Sequence, residues 1–160
     1  MKVQIVNKSN NQLPCYANPG DAGMDLRAEL STIQEKFMFC SAMDEVRNVL
    51  LIFSGGRALI PTENYVAIPE GYELQIRPRS GLALKSGVTV LNTPGTIDSS
   101  YRNSIGVILI NTSDDVFEVA PGDRIAQAVL NKFEPVEWNV VESLDETERG
   151  LTGFGDSGIK

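Results

Sequence analysis

Alternating apolar and polar residues in the middle of the chain predict β-strands. Tyr72, Leu74 and Ile76 alternate with polar residues up to Arg77, as a strand with one buried face requires. Similar short runs, each bounded by Gly, Pro, Asn or Asp, predict further strands at 3–6, 57–61, 65–68, 88–91, 105–111, 116–119, 125–130 and 136–141. Short strands at close spacing, with no internal repeat, predict a single all-β domain, either an antiparallel sandwich or a barrel.

Residues 31–48 depart from this alternation. Thr32 and Glu35 form a possible capping box, and the apolar residues behind them recur at steps of three and four: Ile33, Phe37, Cys40, Met43 and Val46. This spacing predicts a short helix inserted between strands. It is either a surface elaboration packed on the body or a site for a protein partner. The next stretch, 51–60, predicts a hairpin around the turn 54–56.

The charge balance and the His and Cys content of the chain disfavour several classes of function. The 160 residues contain 14 Lys and Arg against 21 Asp and Glu, a formal charge of -7. That balance disfavours stable binding to nucleic acid or to anionic membranes. The absence of His and the presence of only two Cys disfavour a zinc site and the usual catalytic triads. No apolar run reaches 18 residues, so we expect a soluble, cytoplasmic protein with reduced thiols.

Polar, glycine-containing segments interrupt the strands at five places. In the second, Arg79 and Ser80 precede Gly81, whose missing side chain lets main-chain N–H groups approach a ligand. This combination suits phosphate oxygens, although a surface turn has the same composition. In the first segment, Asp25 lies between apolar neighbours and is either part of a turn or an inward carboxylate near a metal.

The third segment, 92–102, predicts a loop or tight hairpin. Asp98 either closes an Asx turn or orients a water molecule, as hydrolytic phosphoryl chemistry needs. Tyr101 offers a flat face for a sugar, and Asn92 offers an amide for a base edge. In the fourth segment, a Gly–Asp turn enters a strand in which strict alternation places Arg124 and Gln127 on opposite faces.

The fifth segment, 149–158, is rich in glycine and has too little chain behind it to form the helix of a P-loop. Four glycines make it costly to order, so the segment is either a frayed tail or one that docks only on a ligand. In the second case Phe154 stacks on a base while Arg149 and Ser157 contact phosphates.

Taken in order, these segments resemble the five motifs of the homotrimeric dUTPase family. The matching stretches cover nearly the whole chain: 22–26, 78–83, 95–98 with 101–102, 122–127, and 149–150 with 153–155. The resemblance implies a jelly-roll-like β-barrel over 1–143, carrying the insertion at 31–48, and a flexible lid over 144–160. It also implies a homotrimer whose active sites are shared between chains.

The resemblance implies hydrolysis of dUTP to dUMP and pyrophosphate by attack of water on the α-phosphate, which keeps uracil out of DNA and supplies dUMP for thymidylate synthesis. Asp98 would deprotonate the water, with Gln127 also in the catalytic set. Tyr101 would lie under the deoxyribose. Mg²⁺ would sit on the triphosphate, with Asp25 reaching it through water. The other implied contacts are with the phosphates (Arg79, Ser80, Gly81), with uracil (Asn92, Gly95, Thr96, Ile97) and from the lid (Arg149, Phe154, Gly155, Ser157).

Some positions depart from the family pattern. Asn103 stands where the family usually has Gly, and Thr152, Asp156 and Ser157 replace usual lid residues. Two alternatives therefore stay open: a dCTP deaminase-like enzyme, including a bifunctional form, and a nucleotide-gated module that meets a protein partner at 31–48.

Overall fold

The strands in the described part of this chain form three antiparallel sheets. The computed structural model describes residues 1–148 and 150–152. Within them the strands are β1 (Gln4–Asn7), β2 (Met24–Arg27), β3 (Met38–Asp44), β4 (Val49–Pro61), β5 (Asn64–Ala67), β6 (Tyr72–Arg77), β7 (Val88–Val90), β8 (Gly95–Ile97), β9 (Gly106–Asn111), β10 (Phe117–Val119) and β11 (Arg124–Lys132). One α-helix, α1 (Ser80–Ser86), and one 3-10 turn (Glu35–Phe37) complete the described elements. No helix in these ranges is long and apolar enough to cross a membrane.

The sheets enclose a common apolar core. β1 pairs with β5; β2, β11, β6 and β8 form a four-stranded sheet in that order. In the five-stranded sheet, β3 runs along one edge of β4, while β10 and β9 pair in succession along the other edge and β7 lies beyond β9. The largest fully buried side chains come from several strands and loops: Leu26, Leu50, Ile60, Ile105 and Leu109. The all-β prediction is confirmed, but the sheets form no closed barrel within 1–148.

The predicted hairpin at 51–60 is wrong, because β4 runs through it as one strand. A bulge replaces the turn: Ile52 and Arg57 of β4 pair with Ser41 and Phe39 of β3, so four β4 residues lie opposite Cys40. A Cβ atom at Gly56 would overlap the main-chain oxygen of Cys40. The glycines that suggested a turn therefore allow two strands to approach closely.

The predicted helix at 31–48 is also wrong beyond its single 3-10 turn. Residues 38–44 form β3, whose main-chain groups bond to β4 instead of to each other. Cys40 adopts a left-handed conformation (φ 46°) where the register shifts. This bulge changes the spacing of the apolar residues, so that Met38 and Met43 both pack on the core. Of the residues whose spacing predicted the helix, Ile33 and Met43 pack on the core, whereas Phe37, Cys40 and Val46 are exposed.

Residues 136–141, predicted as a strand, join no sheet in the described part of the chain. Val136 and Val140 are exposed, and Trp138 is 86% exposed.

The helix α1 was not predicted from the sequence. It begins after Arg79 and ends at Gly87, whose left-handed φ of 62° closes the helix.

Glu29 is a buried carboxylate, 8% exposed, that joins the segment after β2 to the loop after β1. It accepts hydrogen bonds from the Ser31 hydroxyl (2.8 Å), the Ser31 N–H (3.2 Å) and the Asn10 N–H (3.4 Å). Burial raises the pKa of this carboxyl, but the hydrogen bonds from Ser31 and Asn10 lower it more, so the pKa lies below its ordinary value.

Candidate functional site

A carboxylate and two guanidinium groups form a cluster on the polar face of the four-stranded sheet. Asp25 on β2 lies directly opposite Gln127 on β11. Arg79 donates from Nε to Asp25 Oδ1 at 3.0 Å, and Arg124 donates from Nη1 to Asp25 Oδ2 at 3.1 Å. Arg79 Nη1 also donates to the main-chain oxygen of Arg124 at 3.1 Å. Asp25, with a side chain 19% exposed, therefore holds both arginines in fixed orientations while the cluster stays positive.

A β-bulge in β11 brings Arg124 into this cluster. Arg124 pairs with Arg27 and Ala126 pairs with Leu26, so Ile125 is an extra residue in the ladder. Ile125 and Ala126 are both buried in succession. The expectation that Arg124 and Gln127 occupy opposite faces is therefore wrong, because it assumed strict alternation.

The first turn of α1 opens beside the same arginine. The N–H groups of Leu82 and Ala83 bond to the carbonyl of Arg79, whereas those of Ser80 and Gly81 begin the helix and have no intrahelical acceptor. Ser80 and Gly81 are exposed, and a Cβ at Gly81 would contact nothing within 4 Å. Donors and open space thus occur together, as a phosphate group requires.

Gly23 explains the close packing of β2 against β11. A Cβ at this position would overlap Oε1 of Gln127 and would lie 3.2 Å from its Cβ and Cδ atoms. The side-chain amide of Gln127 therefore lies against the main chain of residue 23. Any larger residue would move Gln127 away from the Asp25 side.

The residues predicted to bind a nucleoside form a second group around β8. Gly95 and Ile97 are buried, whereas Thr96 between them is exposed. A Cβ at Gly95 would lie 3.2 Å from Asn92 Nδ2, which places the Asn92 amide against the start of β8. Asp98 follows β8 and is exposed, so a water molecule can reach its carboxylate.

Tyr101 closes the turn after β8. Its N–H donates to the carbonyl of Asp98 at 3.1 Å, and its hydroxyl donates to the carbonyl of Ser104 at 2.9 Å. The side chain is 37% exposed and lines a cavity of about 550 Å³. Asn103 needs no glycine-like conformation, since its φ is not positive and its Oδ1 accepts the Ser104 N–H at 2.8 Å.

The two groups lie at different places on the four-stranded sheet. Gln127 pairs with Arg77 on β6, whereas Thr96 pairs with Gln75. Three strand spacings separate β2 from β8, roughly 14 Å, and the four residues of rise between the Asp25 row and Asp98 add roughly 13 Å along the strands. The main-chain positions of Asp25 and Asp98 are thus roughly 19 Å apart. A single chain does not bring the two groups together.

The arginine cluster suits a metal ion whose direct ligands come mainly from a bound phosphate compound and not from the protein. The described residues contain no group of three or more His, Cys, Asp or Glu side chains able to hold a metal. Both oxygens of Asp25 already accept a bond from an arginine, leaving capacity to accept from a metal-bound water. This donor set fits Mg²⁺, which keeps several waters and takes its direct ligands from phosphates.

Four predicted lid residues lie outside the described residues: Arg149, Phe154, Gly155 and Ser157. The same holds for Asp156. Sequence reasoning missed Glu63 and Ser104, which contact each other beside Tyr101. Nothing in the local sequence marks either residue.

Comparisons with known proteins identify the family. A family model described as dUTPase matches residues 45–158, well over half of the chain. A protein of Finegoldia magna named deoxyuridine 5'-triphosphate nucleotidohydrolase is 47% identical over 158 residues, covering 99% of each chain. A protein of the same name from Chlamydia pneumoniae is 50% identical over 151 residues, covering 94% of this chain and 93% of the relative.

Solved structures agree on the fold. The dUTPase of Staphylococcus bacteriophage 80alpha, solved with dUPNHPP, has a TM-score of 0.79 at 23% identity and covers 99% of both chains. A mutant dUTPase from a Staphylococcus aureus phage, phi11, whose structure shows the coordination of a structural Mg(II) ion, has a TM-score of 0.70 at 20% identity and covers 91% of this chain and all of the other. The fold is jelly-roll-like, and this chain belongs to the dUTPase family.

Proposed function

We propose that this chain is a dUTP diphosphatase, which hydrolyses dUTP to dUMP and pyrophosphate and so keeps uracil out of DNA while supplying dUMP for thymidylate synthesis. The observation that carries the proposal is the pair of arginines that Asp25 holds beside the open first turn of α1. Relatives 43–50% identical over nearly the whole chain carry the name of this activity. The two free, exposed cysteines suit the reducing cytoplasm.

The arginine cluster receives the phosphate chain. Arg79 contributes a guanidinium held at 3.0 Å by Asp25, and Ser80 and Gly81 contribute main-chain donors. Gln127 lies on the same face, opposite Asp25, and its amide orients phosphate oxygens or the attacking water. On a chain of charge -7, such local donors offset the repulsion of a triphosphate.

The β8 group reads the nucleoside. The amide of Asn92 and the main chain of 95–97 bond to the polar edge of uracil, while Tyr101 lies against the deoxyribose. A ring in that place leaves no room for a 2′-hydroxyl, so the same contact selects the deoxy sugar. Uracil specificity then depends on amide hydrogen bonds, which reject bases with a different donor pattern.

Asp98 is the general base. Its exposed carboxylate accepts a proton from water as the water oxygen forms a bond to the α-phosphorus. The bond between that phosphorus and the bridging oxygen breaks, and pyrophosphate leaves with the bonding electrons. Mg²⁺, when bound to the phosphates, would neutralise part of the developing charge, and Asp25 would orient its waters.

The complete site draws on more than one chain. A base must lie about 3 Å from the water that attacks the α-phosphorus, and the phosphates bound by the arginines are joined to that phosphorus by only two bridging oxygens; the main-chain positions of Asp98 and Asp25 in one chain are roughly 19 Å apart, which is too far for one chain to supply both groups. We therefore assign a homotrimer in which the β8 group of one chain faces the arginine cluster of another. Residues 1–143 form the domain, and 144–160 form a lid in which Arg149, Phe154, Gly155 and Ser157 close over the nucleotide.

Pyrophosphate release in Mg²⁺ buffer tests the proposal, with dUTP, dCTP, dTTP and UTP offered separately. We expect release from dUTP alone. Ammonia from dCTP would instead indicate a deaminase, and no release from dUTP would refute the hydrolase assignment. The Asp98→Asn variant is expected to bind nucleotide and to lose about 10²- to 10⁴-fold in kcat.

A further inference from the structure

Glu63, outside the five motifs, connects three separate parts of the chain. Its N–H donates to Ser104 Oγ at 3.1 Å, and its carbonyl accepts the Lys8 N–H at 2.8 Å. Its carboxylate accepts hydrogen bonds from Thr32 Oγ1 at 3.1 Å and from the Tyr65 hydroxyl at 2.9 Å. Glu63 has a φ of 54°, a left-handed conformation that a non-glycine residue keeps only when its surroundings fix it.

Ser104 contacts both Glu63 and Tyr101. Its hydroxyl oxygen accepts the Glu63 N–H, and its carbonyl accepts the Tyr101 hydroxyl. The next residue, Ile105, donates its N–H to the carbonyl of Asn64 at 2.8 Å. The carbonyl of Ile105 accepts both the N–H of Thr62 at 3.0 Å and its hydroxyl at 2.8 Å. The Ser104 carbonyl, which accepts the Tyr101 hydroxyl, is thus tied to residues 62–64.

Packing alone does not fix the Tyr101 ring. The ring lines a cavity of about 550 Å³, and the 31–48 segment also lines this cavity through Thr32, Gln34 and Phe37. A ring beside such a space can be displaced unless something else holds it. The hydrogen bond from its hydroxyl to Ser104 is the contact that limits this displacement.

We propose that Ser104 and Glu63 are positioning residues that hold Tyr101 against the sugar and thereby set the discrimination between dUTP and UTP. The proposal rests on the proposed function, in which Tyr101 excludes the 2′-hydroxyl. Loosening the support lets the ring move into the cavity, and the space that opens benefits UTP more than dUTP. The base Asp98 and the arginine cluster keep their places.

The Ser104→Ala variant tests this inference. Its methyl group cannot accept the Glu63 N–H, while the main chain that bonds Tyr101 remains. We expect the ratio of kcat/KM for dUTP to that for UTP to fall about fivefold or more, mostly through a lower KM for UTP. Ser104→Thr keeps a hydroxyl and is expected to restore most of the ratio. Glu63→Ala, which loses the contacts to Thr32 and Tyr65, is expected to lower the ratio in the same direction.

Ser9→Ala is the matched control. Ser9 Oγ also accepts a main-chain N–H, that of Asn11, at 3.1 Å, but it lies in the turn after β1. Ser9→Ala is expected to lower the melting temperature and to leave the ratio of kcat/KM for dUTP to that for UTP unchanged. A variant of Ser104 that only lost stability would behave in the same way. An unchanged ratio in Ser104→Ala overturns the inference while the unmodified chain still hydrolyses dUTP. If the unmodified chain does not hydrolyse dUTP, the proposed function and this inference both fail.

Discussion

Mixing two inactive variants is expected to restore activity. Asp98→Asn removes the proposed base, and Arg79→Ala removes a proposed phosphate contact, so each variant alone is impaired at every site of the proposed homotrimer. In a mixed trimer, some sites combine the intact Arg79 of one chain with the intact Asp98 of its neighbour. In the proposed homotrimer these sites have a complete set of groups, because the proposal places the two residues of one site on different chains.

The expected recovery follows from the arrangement. In an equimolar random mixture, each site takes its Asp98 and its Arg79 independently, and each is intact with a chance of about one half, so about a quarter of all sites are complete; in trimers that contain both variants the fraction is about one third. If instead both residues served a site within one chain, the mixture would contain no complete site. The separation of roughly 19 Å between the main-chain positions of Asp25 and Asp98 within one chain supports the first case.

The assay compares pyrophosphate release before and after subunit exchange. The variants carry different affinity tags, are denatured together and refolded, and are purified through both tags in turn to confirm mixing. Trimers combined without denaturation serve as the control and are expected to keep the low activity of the separate variants. Purified mixed trimers that show no gain in activity over the separate variants would refute the shared site.

Three further outcomes follow from contacts described above. Gly23→Ala is expected to lower kcat/KM for dUTP about tenfold or more with little change in the urea midpoint, because the new methyl displaces the Gln127 amide. Gly56→Ala is expected to lower the free energy of unfolding by about 1–3 kcal/mol in circular-dichroism urea titrations, because β3 must move away at Cys40. Glu29→Gln is expected to be less stable than the unmodified chain at pH 7. That difference should shrink as the pH falls through the ordinary carboxyl pKa of about 4 and vanish once the pH lies below the lowered pKa of Glu29, since a lowered pKa stabilises only while the carboxyl is ionised; a constant difference would contradict this account.

Strict alternation was sufficient to predict β6 and most of β9, since each strand has one face in the core and no irregularity. It failed where a bulge adds a residue. At Cys40 a bulge interrupts the alternation of β3, and at Ile125 a bulge returns Arg124 to the face of Gln127. A bulge depends on the neighbouring strand, so the local pattern does not reveal it.

In the candidate site, too, contacts between residues far apart in the sequence could not be predicted. The order of the motifs indicated which residues belong together, but not that Arg79 reaches back 54 residues to Asp25 or that Arg124 joins it from 99 residues away. Glu63 and Ser104 carried no signal at all, because their role depends on the contact between two distant loops. Local chemistry is readable in one sequence, whereas the pairing of distant segments requires the fold.

The exposure of Trp138 determines which optical methods can follow this protein. It is the only tryptophan in the chain, and it lies in the unpaired 136–141 stretch, 86% exposed. Its fluorescence in an isolated chain therefore resembles that of the unfolded state, and melting of the sheets would change the emission very little. A blue-shifted emission from the native protein would instead come from burial against another chain, so the same fluorophore that is insensitive to core unfolding reports directly on assembly.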